Sequence, residues 1–278
     1  MRIDTTNLYA AVEDKVATVF FNRPPLNLFT LGVFDELERM FTSLEKLVNK
    51  DEVRSVVLTS SVKKAFSAGD DLNEGPQTSE EAIYENTVAR AVMDKILNFP
   101  IPVIAAVDGY ALGGGLVLAM MADYVIAGER AKFGLTEINF GMFANWGTTY
   151  TLGKGFSTPH MKHLMFSGET FGADETLSMN IVQKVVAPDE LLSCAQAQAK
   201  LYASKAPIGV RAIKALLNNA NGLNQSAHAT MENYLTRLTF DSEMLKRELR
   251  RLQRSALPCS ATNDRCRVMQ NEVLRRTI

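Results

Sequence analysis

Between Pro102 and Asp123 the chain carries an uninterrupted apolar stretch (Val103 to Val107), three consecutive glycines (Gly113, Gly114, Gly115) and a second apolar run (Leu116 to Ala122). Five apolar residues behind a proline read as a strand buried on both faces. The stretch from Ala111 to Ala122 is broken only by glycine. It falls well short of the roughly 20 apolar residues needed to span a bilayer, so it belongs inside a protein core. The glycines between make a tight strand-to-helix connection, or a place where the backbone comes unusually close to another group.

The flanking sequence alternates in the same manner. Val16 to Phe21 reads as a strand that Asn22-Arg23-Pro24-Pro25 breaks, because proline cannot donate to a ladder. From Phe29 to Val48 the residues Leu31, Phe34, Leu37, Phe41, Leu44 and Leu47 recur at three- and four-residue intervals, the period of an amphipathic helix. Ser55 to Ser60 holds a short buried strand, and Ser67 to Gly75 is a loop rich in glycine and acid. Ser79 to Phe99 is helical in spacing until Pro100-Ile101-Pro102 stops it. Tyr124 to Ala127 and a stretch around Phe133 are further strands, and from about Thr158 the pattern is mainly helical. Strands and helices alternate over the first 190 or so residues and helices alone follow, which predicts an α/β core with a C-terminal helical extension. The expected division is a core over 1–195, a helical region over 196–254 and an irregular, polar tail with a basic bias over 255–278.

Bulk properties remove several function classes. With 46% apolar and 22% charged residues the chain can build a sizeable core, and a net charge of −1 gives no bulk attraction to nucleic acid or an anionic membrane. Cys194, Cys259 and Cys266 form no CxxC and leave an odd thiol, which fits a reduced, cytoplasmic compartment. Met1 to Lys15 has no apolar leader segment. His160 and His163 share a helix face, but no third metal ligand accompanies them and His228 stands apart.

Three ordered segments carry a family pattern: Ala65-Phe-Ser-Ala68-Gly69-Asp70-Asp71-Leu72; Pro102 through Asp108-Gly109-Tyr-Ala-Leu-Gly113-Gly114-Gly115 to Met121-Ala-Asp123; and Phe133-Gly-Leu-Thr-Glu137-Ile-Asn-Phe-Gly141. Weaker matches are Asn22-Arg23-Pro-Pro-Leu26-Asn27 and Phe166 to Val186. In order and spacing the chain resembles the crotonase (enoyl-CoA hydratase/isomerase) superfamily from near its start to about residue 245. The resemblance implies an α/β fold built as a crotonase-like spiral of repeated ββα units in two sheets. It also implies C-terminal helices that complete a homotrimer or dimer of trimers. The implied substrate is an acyl-CoA thioester; no further cofactor, nucleic acid or membrane partner is expected.

Thioester chemistry makes sense of these residues. Removing an α-proton piles charge onto the carbonyl oxygen, and two preorganised N–H groups can hold it. Losing one such donor typically costs about 2.7–4 kcal/mol of barrier. The resemblance assigns the donors to Asp70 and Gly114. Asp70 departs from the small apolar residue common there, and its carboxylate would oppose an oxyanion unless the side chain points away. Family hydratases use two glutamates. The second corresponds to Glu137, whereas the position of the first is Val117, which can neither accept a proton nor orient water. An isomerase needs one base, so the site pattern looks closest to a Δ3,Δ2-enoyl-CoA isomerase. Hydration with a substitute group, or acyl-CoA binding without turnover, are the alternatives.

The resemblance places Arg23, Leu26, Ala68, Leu72, Val117 and Trp146 along the substrate. Arg23, Lys63 or Lys64, and Lys214 across a subunit boundary, are candidate cations for the CoA phosphates, each more readily read as a merely solvated side chain. Trp146, the only tryptophan, either walls the acyl pocket or packs in the core.

Overall fold

The computed structural model describes residues 1–150, 157–220 and 222–255. Its first strands are β1 (Arg2–Asp4), β2 (Leu8–Glu13) and β3 (Val16–Phe21), followed by helix α1 (Leu31–Asn49). Next come β4 (Ser55–Ser60), β5 (Ala65–Ser67) and α2 (Ser79–Leu97), then β6 (Val103–Val107), β7 (Tyr110–Leu112) and α3 (Gly114–Met120). A third round consists of β8 (Tyr124–Gly128), β9 (Lys132–Gly134) and a 3-10 turn (Thr136–Phe140), with α4 (Thr158–Ser167) further on. The remainder holds β10 (Phe171–Gly172), α5 (Ala173–Ser178), β11 (Lys184–Val186), α6 (Leu191–Ala203) and α7 (Pro207–Asn219). Helices α8 (Gln225–Phe240) and α9 (Glu243–Ser255) complete it.

The strands make a seven-stranded sheet, β1-β2-β3-β4-β6-β8-β11, and a four-stranded one, β10-β9-β7-β5. Successive pairs β4/β5, β6/β7 and β8/β9 each place one strand in the first sheet and one in the second. After each pair the chain enters a helix or the 3-10 turn, which is the repeated ββα unit. From β3 to β11 the larger sheet is parallel, as its crossovers require. Both of its central strands, β4 and β6, are apolar runs buried on either face. Compact packing divides the chain into a unit from Met1 to Asn221 and a second beginning at Gly222, to which α8 and α9 belong.

The sequence periodicity and the elements differ in instructive places. Helix α1 starts at Leu31 rather than Phe29: Thr30 caps it by accepting from the Val33 N–H, while Phe29 is bridged to Asp70. The region after Thr158 is not purely helical, since β10 and β11 pair with β9 and β8. Those strands, like β5 and β7, are two or three residues long. Such lengths are too short to display a period, and tertiary pairing alone creates them.

No helix among the described residues is long and apolar enough to cross a membrane, and none of their His, Cys, Asp and Glu side chains gather in a group of three able to hold a metal. His163 stacks edge-on against Phe171 instead. Lys214, a candidate phosphate ligand by sequence, is buried against Asp123 (2.6 Å) and donates to the Ile101 carbonyl. A cation committed to an internal carboxylate cannot also serve a phosphate, so that expectation is corrected. Cys259, Cys266 and the tail expected over 255–278 lie outside the described residues, apart from Ser255 at the end of α9.

Candidate active site

The site begins in the loop after β5. Buried Asn27, at φ 52°, donates through Nδ2 to the carbonyls of Ala65 and Phe66 and to Ser60 Oγ. Its own carbonyl accepts from Ser67 Oγ at 2.7 Å, and the same hydroxyl accepts the Gly69 N–H. Leu26 holds the loop as well, its carbonyl accepting the Ala68 N–H at 3.0 Å. On the far side Phe29 donates to the Gly69 carbonyl and accepts from the Asp71 N–H. Residues 68–71 are thus clamped from both sides, and the Asp70 N–H is left over.

Gly69 has φ +89°, a conformation L side chains rarely adopt, and a Cβ there would lie 3.3 Å from the Gly114 nitrogen. The loop therefore runs against the first residue of α3. Among the described residues, neither the Asp70 N–H nor the Gly114 N–H has an acceptor. Two unpaired donors side by side form a pocket for an anionic oxygen.

A cavity of about 250 Å³ opens over these donors. Asp70, Gly114, Val117, Glu137 and Trp146 line it, together with the exposed residues Gly141, Met142, Phe143 and Asn145. Glu137, presented by the 3-10 turn, reaches over Gly113: a Cβ on that glycine would be 3.3 Å from Oε1. Its other oxygen is buried without a partner among the described residues. Burial holds the Glu137 carboxyl above the usual carboxylate range, opposed only by a backbone hydrogen bond of its own. Val117 is buried and contributes only hydrocarbon. Trp146 fills both roles left open by sequence. It lines the cavity, and it packs edge-on against Phe29 and Phe34 at 5.7 and 5.0 Å.

Asp70 meets the condition set by sequence only in part: the residue lines the cavity, and among the described residues its buried Oδ1 has no partner. Burial pushes its carboxyl up to about 7, helped by the negative charges of Glu85 and Glu137. Glu85, on the inner face of α2 one turn before Ala89, is raised by burial as well. Its signal in the sequence is an acid at a core position of the helix, which a periodicity scan passes over. Since the folded value lies above the ordinary 3.8, the native state holds this proton more tightly than the unfolded chain. That stabilisation is fully present below about pH 4 and is lost as pH rises through about 7. Asp70→Asn is therefore expected to gain thermal stability relative to wild type as pH rises from about 4, levelling off above about 7. A difference in melting temperature that stays constant across the series would contradict the burial of this carboxyl.

The other sequence candidates are less central. Arg23 is committed to Asp71 (2.9 Å) and Glu74 (3.0 Å). Leu26 and Ala68 act through the loop rather than the cavity wall, Leu72 is 59% exposed, and Lys63 and Lys64 are exposed. Sequence reasoning missed Asn27 as a brace, and Asn86, whose Oδ1 accepts the Trp146 N–H at 3.0 Å.

Comparison with known proteins agrees with this geometry. The enoyl-CoA hydratase/isomerase family profile matches residues 11–254. A short-chain-enoyl-CoA hydratase from Clostridium acetobutylicum is 34% identical over 218 residues, 78% of this chain and 82% of the relative. A probable enoyl-CoA hydratase from Mycobacterium tuberculosis is 33% identical over 201 residues, 72% and 76% of the two chains. Among solved structures, an enoyl-CoA hydratase from Bacillus anthracis superposes with a TM-score of 0.83 at 28% identity, covering 93% of this chain and 100% of that one. DspI from Pseudomonas aeruginosa does so with a TM-score of 0.84 at 25% identity, covering 93% and 98%. The cavity, its paired N–H donors and these matches agree: the chain belongs to the enoyl-CoA hydratase/isomerase family.

Proposed function

We propose that this protein shifts the double bond of an enoyl-CoA thioester, with Glu137 as the proton carrier. The observation that carries the reading is Val117, an apolar wall in the cavity that Glu137 enters. In the forward direction the Glu137 carboxylate removes a proton from C2 of a 3-enoyl-CoA, and the electron pair moves onto the thioester oxygen. The N–H groups of Asp70 and Gly114 hold the resulting dienolate oxygen. Protonated Glu137 then returns the same proton to C4, leaving the 2-enoyl ester and an ionised base. Hydrocarbon at position 117 keeps water from the double bond, so the dienolate is reprotonated rather than intercepted.

Hydration is the second reading, supported by the relatives' names and by the Asp70 carboxyl, which gives the cavity a second acid. Incubation with a 3-enoyl-CoA and, separately, with a 2-enoyl-CoA in ¹⁸O-water decides between them. Double-bond migration faster than label entry at C3 is expected; rapid label entry would transfer the assignment to hydration.

Val117→Glu probes the same point by gain of function. Position 117 follows Gly114 by about one helical turn, so a carboxylate there shares a face with the oxyanion donor. The variant is expected to hydrate a short 2-enoyl-CoA faster than a Val117→Gln control and to lose isomerisation. The gain should be small, because another buried acid beside Glu137 and Asp70 raises their pKa values further. Equal hydration by the folded Glu and Gln variants would remove position 117 from water activation.

A further inference from the structure

The mechanism so far uses the Asp70 backbone and leaves its side chain idle, although Asp70 lines the cavity and, among the described residues, its buried Oδ1 has no partner. We propose that the Asp70 side chain is a third oxyanion donor: held as the neutral acid, it gives an O–H hydrogen bond to the thioester oxygen beside the N–H groups of Asp70 and Gly114. The inference rests on the reading of this cavity as a thioester enolate site.

The charges around Asp70 point to the neutral acid. Glu137 faces it from the 3-10 turn and Glu85 from α2, and both act on it as negative charges. On its own loop, Asp71 is neutralised by Arg23, which also binds Glu74. On α2, Arg90 lies against Gly147 and pairs with Asp94 at 3.7 Å. Among the described residues no cation pairs with Asp70, Glu85 or Glu137. Burial raises all three carboxyls and no counter-ion among the described residues opposes it, which favours a proton retained within the group. Glu137 must be free to accept one, and of the other two Asp70 is the holder, because burial and the charges of both Glu85 and Glu137 act on it whereas Glu85 is raised by burial alone. An ionised Asp70 would repel the growing charge on the oxygen, whereas its acid form donates to it. Apolar burial keeping a carboxylic acid neutral for that purpose is a known device in enolising enzymes. The Asp70 proton is not transferred. It stays on the carboxyl while the substrate proton travels through Glu137, so the step balances without a further reactant.

Two readouts test this, one of which needs no turnover. For wild type, kcat/KM on a 3-enoyl-CoA should fall as pH rises through about 7, the region to which burial and Glu85 and Glu137 push Asp70. Asp70→Asn keeps a neutral donor and should lose that alkaline limb, with a smaller rate loss than Asp70→Ala. Glu85→Gln removes a repelling charge, so its limb should move to lower pH. Separately, difference infrared spectra of bound butyryl-CoA report polarisation of the thioester carbonyl. Its stretch should be lowered below about pH 7 and relax above it in wild type, and be pH-independent in Asp70→Asn. Butyryl-CoA binding also verifies that each variant is folded. If the infrared result holds while no 3-enoyl-CoA is turned over, the isomerase reading fails and the donor assignment stands. An alkaline limb or a pH-dependent carbonyl shift that persists in Asp70→Asn overturns the proposal. So does loss of turnover in Asp70→Asn as complete as in Glu137→Gln, since Asp70 would then carry a proton, and so does failure of wild type to bind butyryl-CoA.

Discussion

Glu137→Gln is expected to lower kcat on a 3-enoyl-CoA by at least ~10²-fold, with acyl-CoA affinity within a few-fold of wild type. The amide fills the same volume beside Gly113 and leaves the cavity shape intact, but it cannot take up the C2 proton. Because burial raises this carboxyl, wild-type turnover should also fall on the acid side, as the base becomes protonated before substrate arrives. That acid limb should vanish in the Gln variant along with turnover. The measurement is a pH–rate profile beside a binding isotherm for a saturated acyl-CoA. If the variant kept more than about a tenth of wild-type kcat, another group would be the base, since general-base loss is far costlier. Asp70 would then be the first to examine, as the other carboxyl in the cavity.

Much of this site was legible because its chemistry depends on residue type at fixed spacing. Three glycines after an apolar strand read alone as a tight connection, and the resemblance to the family's ordered motifs is what marked Gly114 as a donor and Glu137 as a candidate base. The strands β4 and β6 were equally plain, being apolar on both faces. What could not be read depends on partners far away in sequence. Strands β5 and β7 exist because each finds a neighbour in the second sheet. The direction of the Asp70 side chain follows from the clamp that Asn27, Ser67 and Phe29 place on its loop. The fate of Lys214 was hidden likewise. A lysine on a helix reads as solvated until Asp123 is known to lie beneath it.

Gly114→Ala is expected to damage stability and turnover together. A Cβ at this position would lie 2.1 Å from Cζ3 and 2.2 Å from Cη2 of Trp146. The indole has little room to retreat: Trp146 is 3% exposed, its ring is wedged against Phe29 and Phe34, and its backbone N–H is held by Asn86. The methyl must therefore displace the ring or the start of α3. Overpacking of a well-filled core costs about 1–3 kcal/mol. Movement of the Gly114 N–H out of line forfeits an oxyanion donor, worth about 2.7–4 kcal/mol of barrier, or 10²–10³ in kcat. Gly209→Ala supplies the control, because that glycine lies in α7 with nothing within 4 Å of an added Cβ. It should be neutral or slightly stabilising. A double-mutant cycle isolates the contact. Trp146→Ala alone should cost about 3–5 kcal/mol through the lost packing, but in that background the further change Gly114→Ala should alter stability by less than about 0.5 kcal/mol. Urea unfolding of the four proteins, paired with kcat on a 3-enoyl-CoA, measures both effects. Were Gly114→Ala as stable as wild type with turnover within threefold, the Trp146 ring could not be seated on the first turn of α3, and the tryptophan would lose its place in positioning the oxyanion donor.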